Sequence, residues 1–310
     1  MNPVRGLLLA GSQSDWLRRQ ATRRSFVRQA VSRFMPGETI DAALQAATAL
    51  QAAGMGVILT HLGENVADRS EADAVAEHYL QLVERLRGTD LDAEVSVKVT
   101  QLGLDVSPDL ATEHLFRIAE RTRAHGSRLW IDMESTTYTD ATLAAYRRVR
   151  AASYDVGIAL QTYLTRTRAD LESLIPLGPA VRLVKGAYDE PADRAFPRKQ
   201  DVDQNFHDLA ARLLSADARR AGAWLTAGTH DVSLIRRIES AAETAGCPRD
   251  GYEVAMLFGI GRAEQERLVR EGRRLRVLVS YGAYWFPWYM RRLAERPSNL
   301  MFVLRNMVNR

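Results

Sequence analysis

Eight short runs of β-branched and apolar residues recur between positions 56 and 281, and a longer stretch follows each of them. They read GVILTHL (56–62), AEVSVKVT (93–100), RLWIDME (128–134), DVGIALQT (155–162), AVRLVKG (180–186), AWLTAGT (223–229), YEVAMLF (252–258) and LRVLVSY (275–281). Runs of this length and makeup read as buried strands. Their starts are 23 to 43 residues apart, enough for a right-handed crossover helix between parallel strands. Intervening stretches such as AVAEHYLQLVERLR and VSLIRRIESAAETAG have the helical period. Eight β–α units predict an α/β fold, a (β/α)8 TIM barrel. A doubly wound open sheet would carry a glycine fingerprint after its first strand, and HLGENV is not one. Two helices, at about 14–33 and 38–53, precede the first strand. The expected organisation is an N-terminal helical arm over 1–37 and a barrel over 38–310.

The charge balance narrows the chemistry. Arginine and lysine total 42, but only Lys98, Lys185 and Lys199 are lysines. Arginine therefore does the solubilising, and a lysine in or beside a strand needs its own reason. The single cysteine, Cys247, excludes an internal disulfide and a thiolate metal cluster, and makes a cytoplasmic location the default. No apolar run approaches the roughly 20 residues of a membrane span, and the first residues lack the long apolar core of a secretory signal. Six arginines between Arg18 and Arg33, with Trp16, Phe26 and Phe34, fit a solvated helix face or peripheral contact with an anionic membrane. The basic residues are not gathered on a nucleic-acid-binding element, so no nucleic acid is expected.

Barrel enzymes place their chemistry at the C-terminal ends of the strands, and strand side chains alternate between lumen and helix layer. In the second run Val95, Val97 and Val99 suit the helix layer, which turns Ser96, Lys98 and Thr100 inward. The third puts Asp132 and Glu134 on one face. The fourth sets Gln161 beside the small residues Ala159 and Gly157, leaving room for a ligand. Arg182 in the fifth needs a partner such as Asp132. The sixth ends in Thr229, His230 and Asp231, the last a candidate helix cap. No spacing suggests a metal. Near the end, YWFPWYMRRLAERPSN packs five aromatics and three arginines into sixteen residues. Arg291 and Arg292 behind such a cluster suit a small anion with an apolar body, since a guanidinium fork reads a carboxylate in two places.

The segments SVKVT, WIDMES, GIALQTYLTR, RLVKGAY, DVDQNF, THD, MLFGI and YGAYWFPWYMRRLAERPSN fall in the order seen in proline dehydrogenases, and the chain resembles that family over about 38–305. The resemblance implies a monofunctional flavoenzyme on a distorted (β/α)8 barrel. It implies that FAD is the cofactor and that L-proline is oxidised to Δ1-pyrroline-5-carboxylate. Electrons would pass to a quinone, and a separate pyrroline-5-carboxylate dehydrogenase would take the product. Carried over by motif, Lys98, Arg291 and Arg292 would hold the substrate carboxylate. Arg182 would contact the flavin, and Asp132 would orient the basic groups. Met133, Gln161, Lys185, Gly186, Ala187, Thr229 and His230 would line the FAD, with Tyr188 and Leu257 near the substrate. Glu64 would pair with Arg291 as a gate, and the last helix would lie over the barrel mouth.

Some positions depart from the family pattern. Leu278 and Trp288 stand where tyrosines are usual, Ala255 replaces a glutamine, and Thr60 replaces an aspartate. These changes remodel the wall around the substrate ring and open the way to 4-hydroxyproline or an N-alkyl proline. Two other readings of the residues stay open. One is a barrel aldolase with Lys98 or Lys185 as Schiff-base nucleophile. The other is a non-catalytic binding protein for small carboxylates.

Overall fold

The computed structural model describes residues 31–152, 154–286 and 289–290. Eight parallel strands close into one barrel in sequence order: β1 (Gly56–His61), β2 (Ala93–Lys98), β3 (Leu129–Asp132), β4 (Val156–Gln161), β5 (Ala180–Val184), β6 (Trp224–Gly228), β7 (Glu253–Leu257) and β8 (Leu275–Tyr281). The helices are α1 (Ile40–Ala52), α2 (Arg69–Arg87), α3 (Pro108–His125), α4 (Thr139–Ala151), α5 (Thr167–Leu174), α6 (Lys199–Leu214), α7 (Ala216–Arg220), α8 (Val232–Thr244) and α9 (Arg262–Arg270).

Local chemistry sets the helix ends. Asp68 caps α2 by accepting from the Glu71 amide at 3.1 Å. The buried face of α2 is Ala72, Ala76, Tyr79, Leu82, Val83 and Leu86, a 3.6-residue stripe. Ser107 caps α3, Pro108 occupies its first turn, and Gly126 ends it at φ 75°. These stripes pack on outward strand residues such as Leu59, Val95, Val97 and Ile131 to form the main core.

Inside, the barrel is filled rather than hollow. Ile58, Trp130 and Ala180 form a buried plug, with Trp224 and Leu278 against it. Gly157 makes room for that plug and not for a ligand: a Cβ there would lie 2.5 Å from the Trp130 ring. Below the plug, Arg276 binds Glu253 (3.0 Å), Glu94 (3.2 Å) and Asp92 (2.8 Å). Trp130 donates its indole N–H to Glu94 at 2.6 Å, and Thr226 its hydroxyl to Glu253 at 2.8 Å. Burial first, then the like charge of Glu253, raises the Glu94 carboxyl above its usual range against the pull of Arg276.

Residues 31–38 lie beside the exit of β8. Val31 and Met35 pack with Leu62, Trp285, Phe286 and Tyr289. The Trp285 indole donates to Glu38 at 3.0 Å. The rest of the arm expected over 1–37 lies outside the described residues, as does most of the C-terminal helix expected over the mouth.

Candidate active site

Strand register does most of the assembly. Lys98 and Asp132 are paired positions on β2 and β3, and Ala159 and Arg182 are paired on β4 and β5. Parallel pairing puts paired residues on the same face at the same height. Lys98 Nζ lies 3.8 Å from Asp132 Oδ2. Arg182 reaches across the lumen to Asp132 Oδ1 and places Nη2 3.0 Å from Ser96 Oγ. Ser96 in turn donates to Asp132 Oδ1 at 2.8 Å. One carboxylate thus holds two cations and a hydroxyl in fixed relation. The Arg182 guanidinium also sits 5.2 Å above the Trp130 ring, a cation–π contact.

Two polar atoms in this group are incomplete among the described residues. Arg182 is 4% exposed, yet its Nη1 has no hydrogen-bond partner. Gln161 is 2% exposed and gives its amide to the Met133 carbonyl at 3.3 Å, while its Oε1 has no partner. Buried polar atoms left unpaired cost about 1–3 kcal/mol each, so they point to a missing ligand that donates to one and accepts from the other.

Both residues line a cavity of about 750 Å³ at the C-terminal end of the barrel. The expected residues Lys98, Asp132, Met133, Gln161 and Arg182 line it from β2 to β5. Lys185, Gly186, Ala187 and Tyr188 follow β5, and Thr229 and His230 follow β6. Leu257, Leu278 and Glu64 also border it. Fourteen of the candidates thus share one cavity. The remaining three, Trp288, Arg291 and Arg292, lie outside the described residues.

The loop after β5 is tied down. Lys185 bridges Asp203 on α6 (2.5 Å) and Asp231 at the start of α8 (2.9 Å). Asp231 also caps α8, accepting from the Leu234 amide at 3.3 Å. Lys185 and the Leu234 amide hold its carboxyl down to about 2, against burial, which pushes the other way. Asn205 donates to the Thr162 carbonyl at 2.7 Å, which with Asp203 gives the DVDQNF segment a structural use. A side chain at Gly186 is excluded twice: φ is 119°, and a Cβ would lie 2.2 Å from the Tyr163 ring. The Leu257 amide donates to His230 Nε2 at 3.1 Å, which makes Nε2 the acceptor and leaves Nδ1 to carry the proton.

Two strand-parity expectations need correcting. Glu134 does not share the lumen face with Asp132, because β3 ends at Asp132 and the chain turns there. Thr100 likewise lies past the end of β2, in the turn that follows, and its hydroxyl faces Glu134 at 2.6 Å. Thr60, Asn65, Lys199, Met256, Ser280 and Tyr284 also line the cavity. Of these, Lys199 had a signal, as one of the three lysines.

Residues 43–305 match the family described as proline dehydrogenase. The chain is 36% identical over 279 residues to Proline dehydrogenase 1 of Bacillus subtilis (strain 168), 90% of each chain. It is 34% identical over 307 residues to Proline dehydrogenase 2 of that strain, 99% of each. It is 35% identical to a Deinococcus radiodurans proline dehydrogenase over 281 residues, 89% of each. Among solved structures it resembles proline utilization A from Bdellovibrio bacteriovorus, inactivated by N-propargylglycine. There the TM-score is 0.80 at 23% identity, over 86% of this chain and 32% of that one. A Bradyrhizobium japonicum proline utilization A variant gives a TM-score of 0.74 at 22% identity, over 88% of this chain and 32% of that one. The chain thus spans about a third of the length of those two structures, and the likeness shows the shared distorted barrel.

Proposed function

This chain belongs to the proline dehydrogenase family and is an oxidoreductase acting on proline; from that premise we propose that it is FAD-dependent, forms Δ1-pyrroline-5-carboxylate and passes the electrons to a quinone. The observation that carries the reading is the pair of buried, incomplete atoms, Arg182 Nη1 and Gln161 Oε1, on one cavity wall. An isoalloxazine edge carries acceptors and an N–H donor side by side, which is what such a pair lacks. The cavity fits a flavin in size and in its mix of apolar walls and a few placed polar groups. Met133, Gln161, Arg182, Lys185, Gly186, Ala187, Thr229 and His230 would hold it.

When bound, the flavin supplies a two-electron acceptor for hydride. The protein's part is placement. Lys98, with Arg291 and Arg292 from the C-terminal segment, would hold the proline carboxylate by charge and by guanidinium forks. Asp132 keeps Lys98 and Arg182 in register, and Ser96 fixes the rotamer of Asp132. Arg182 would face charge that develops at the cofactor. Leu257, Leu278 and Tyr188 would wall the ring and exclude water. The proline amine must give up a proton before hydride leaves, and we assign that proton to solvent at the mouth. A separate dehydrogenase would take the product. No helix of the described residues is long and apolar enough to cross a membrane. Delivery to a membrane quinone would use peripheral contact by the N-terminal arginines of a protein otherwise in the cytoplasm.

Anaerobic titration tests this directly. The purified protein should be yellow, and proline should bleach it; a quinone analogue should restore the colour. Protein that stays colourless after incubation with FAD, or a flavin that proline leaves oxidised, would remove the reading. The aldolase alternative predicts trapping of a carbonyl substrate by borohydride. Lys185 is tied to two carboxylates and Lys98 to one, so no adduct is expected.

The wall around the ring supports a broader substrate range. Leu278 rests on the Ile58–Trp130 plug, and Ala255, Thr60 and Ser280 line the same cavity. Small side chains and hydroxyls there accommodate a substituted ring such as 4-hydroxyproline or an N-alkyl proline. Leu278→Tyr is expected to raise the kcat/KM preference for proline over 4-hydroxyproline by about tenfold. An unchanged ratio would place Leu278 away from the ring.

A further inference from the structure

Glu134 is a buried carboxylate, 2% exposed, that the mechanism above does not use. Its two oxygens face one residue. Oε2 accepts from the Thr100 amide at 3.1 Å, and Oε1 lies 2.6 Å from Thr100 Oγ1. Thr100 passes the constraint on. Its Oγ1 accepts from the Asn65 amide at 3.0 Å, and its carbonyl accepts from the Val66 amide at 3.1 Å. Asn65 is the one non-glycine with a left-handed φ, 57°, among the described residues. Its side chain donates to the Tyr138 hydroxyl at 3.0 Å, just beyond Glu134 in the chain. A residue stays in that conformation when its surroundings over-determine it.

The neighbour of Asn65 gives this anchoring a use. Glu64 lines the cavity and accepts from the Tyr188 hydroxyl at 3.3 Å, and Tyr188 lines the cavity from the loop after β5. The contact spans from the β1 exit to the β5 exit across the cavity. We propose that Glu134 is a positioning residue for the active-site mouth: through Thr100 it fixes the strained turn that presents Glu64 to Tyr188. The inference rests on the reading that proline occupies this cavity. It adds a control point outside the cavity, since Glu134 and Thr100 do not line it. Burial, opposed by the Thr100 bonds and Lys98, raises the Glu134 carboxyl to about 7, so a protonated and an ionised form are both within reach. Glutamine has the protonated form's pattern: its amide donates to Thr100 Oγ1 and its carbonyl accepts from Thr100 N–H.

The test uses the FAD-loaded full chain and steady-state kinetics with proline. Glu134→Ala and Thr100→Val should each raise KM about tenfold with kcat within about twofold, because mouth placement is lost and the reacting groups are untouched. Glu134→Gln should stay near wild type in both. Unmoved KM in the first two variants, kcat falling by as much as KM rises, or a glutamine variant as impaired as the alanine one would each overturn the proposal. If Glu134→Ala does not fold, Thr100→Val carries the same comparison, since it keeps the backbone bonds and loses only the hydroxyl. Amide exchange at Asn65 and Val66, read without substrate, should rise in Thr100→Val; protection equal to wild type would show that the hydroxyl is not the anchor. A wild-type flavin that proline leaves oxidised would sink the functional reading together with this one. A reducible wild type with unmoved variants would sink this one alone.

Discussion

Arg182→Met is expected to slow proline-driven flavin reduction by about 10²–10³-fold at saturating proline, with FAD still bound. The guanidinium is buried, with Nη2 held by Ser96 and Asp132 and Nη1 without a hydrogen-bond partner among the described residues. A preorganised donor aimed at developing negative charge contributes at the transition state rather than in ground-state binding, so kcat should fall more than KM rises. Methionine keeps much of the volume over Trp130 and removes the charge. Arg182→Lys should fall between the two, because it keeps a cation but not the fork that engages Ser96 and Asp132 together. On the proposed placement of the flavin beside Arg182, its spectrum gives a second reading, since loss of that cation should shift the visible bands. A methionine variant reduced within about threefold of the wild-type rate would take Arg182 out of the chemistry.

The second large effect is on stability, at the opposite end of the barrel. Arg276→Met should cost about 3–5 kcal/mol, read as a lower urea midpoint, because it takes from Glu253 its cation in the lumen and leaves Glu94 only Arg128, 3.8 Å away. The loss should depend on pH in a definite direction. The folded-state value of Glu94 already lies above its unfolded value, so its contribution is full below the unfolded value and is lost as pH rises through the folded one. Removing Arg276 raises the folded value further. The difference between variant and wild type should therefore be largest near pH 8 and shrink toward pH 5.5. A loss below about 1 kcal/mol at pH 8, or a loss that grows on acidification, would contradict this account.

Glu94 and Glu134 are both buried carboxylates near strand runs, and neither role follows from local pattern. Strand parity places Glu94 in the lumen, but whether a lumen position sits below or above the plug depends on the stagger of neighbouring strands. Trp130 decides it here: its ring fills the space beside Gly157 and closes the floor. Parity fails for Glu134 because alternation holds only while the strand lasts, and β3 stops at Asp132. Lys98, Asp132 and Arg182 were legible because a charged side chain in a buried strand must have a partner, and the inward faces supply few.

What the chain alone determined is the barrel and the cast of its upper rim. Eight apolar runs at crossover spacing admit few ways to bury their surface, and alternation then assigns each side chain an inner or outer face. What only the tertiary structure decided is which of those groups meet. Asp132 lies 34 residues from Lys98 and 50 from Arg182 in sequence, yet touches both through register and the width of the lumen. The turn that presents Glu64 is likewise tied to Thr100, one strand away, and through it to Glu134, two strands away. Such contacts depend on the closure of the sheet, a property of all eight strands together that no single segment encodes.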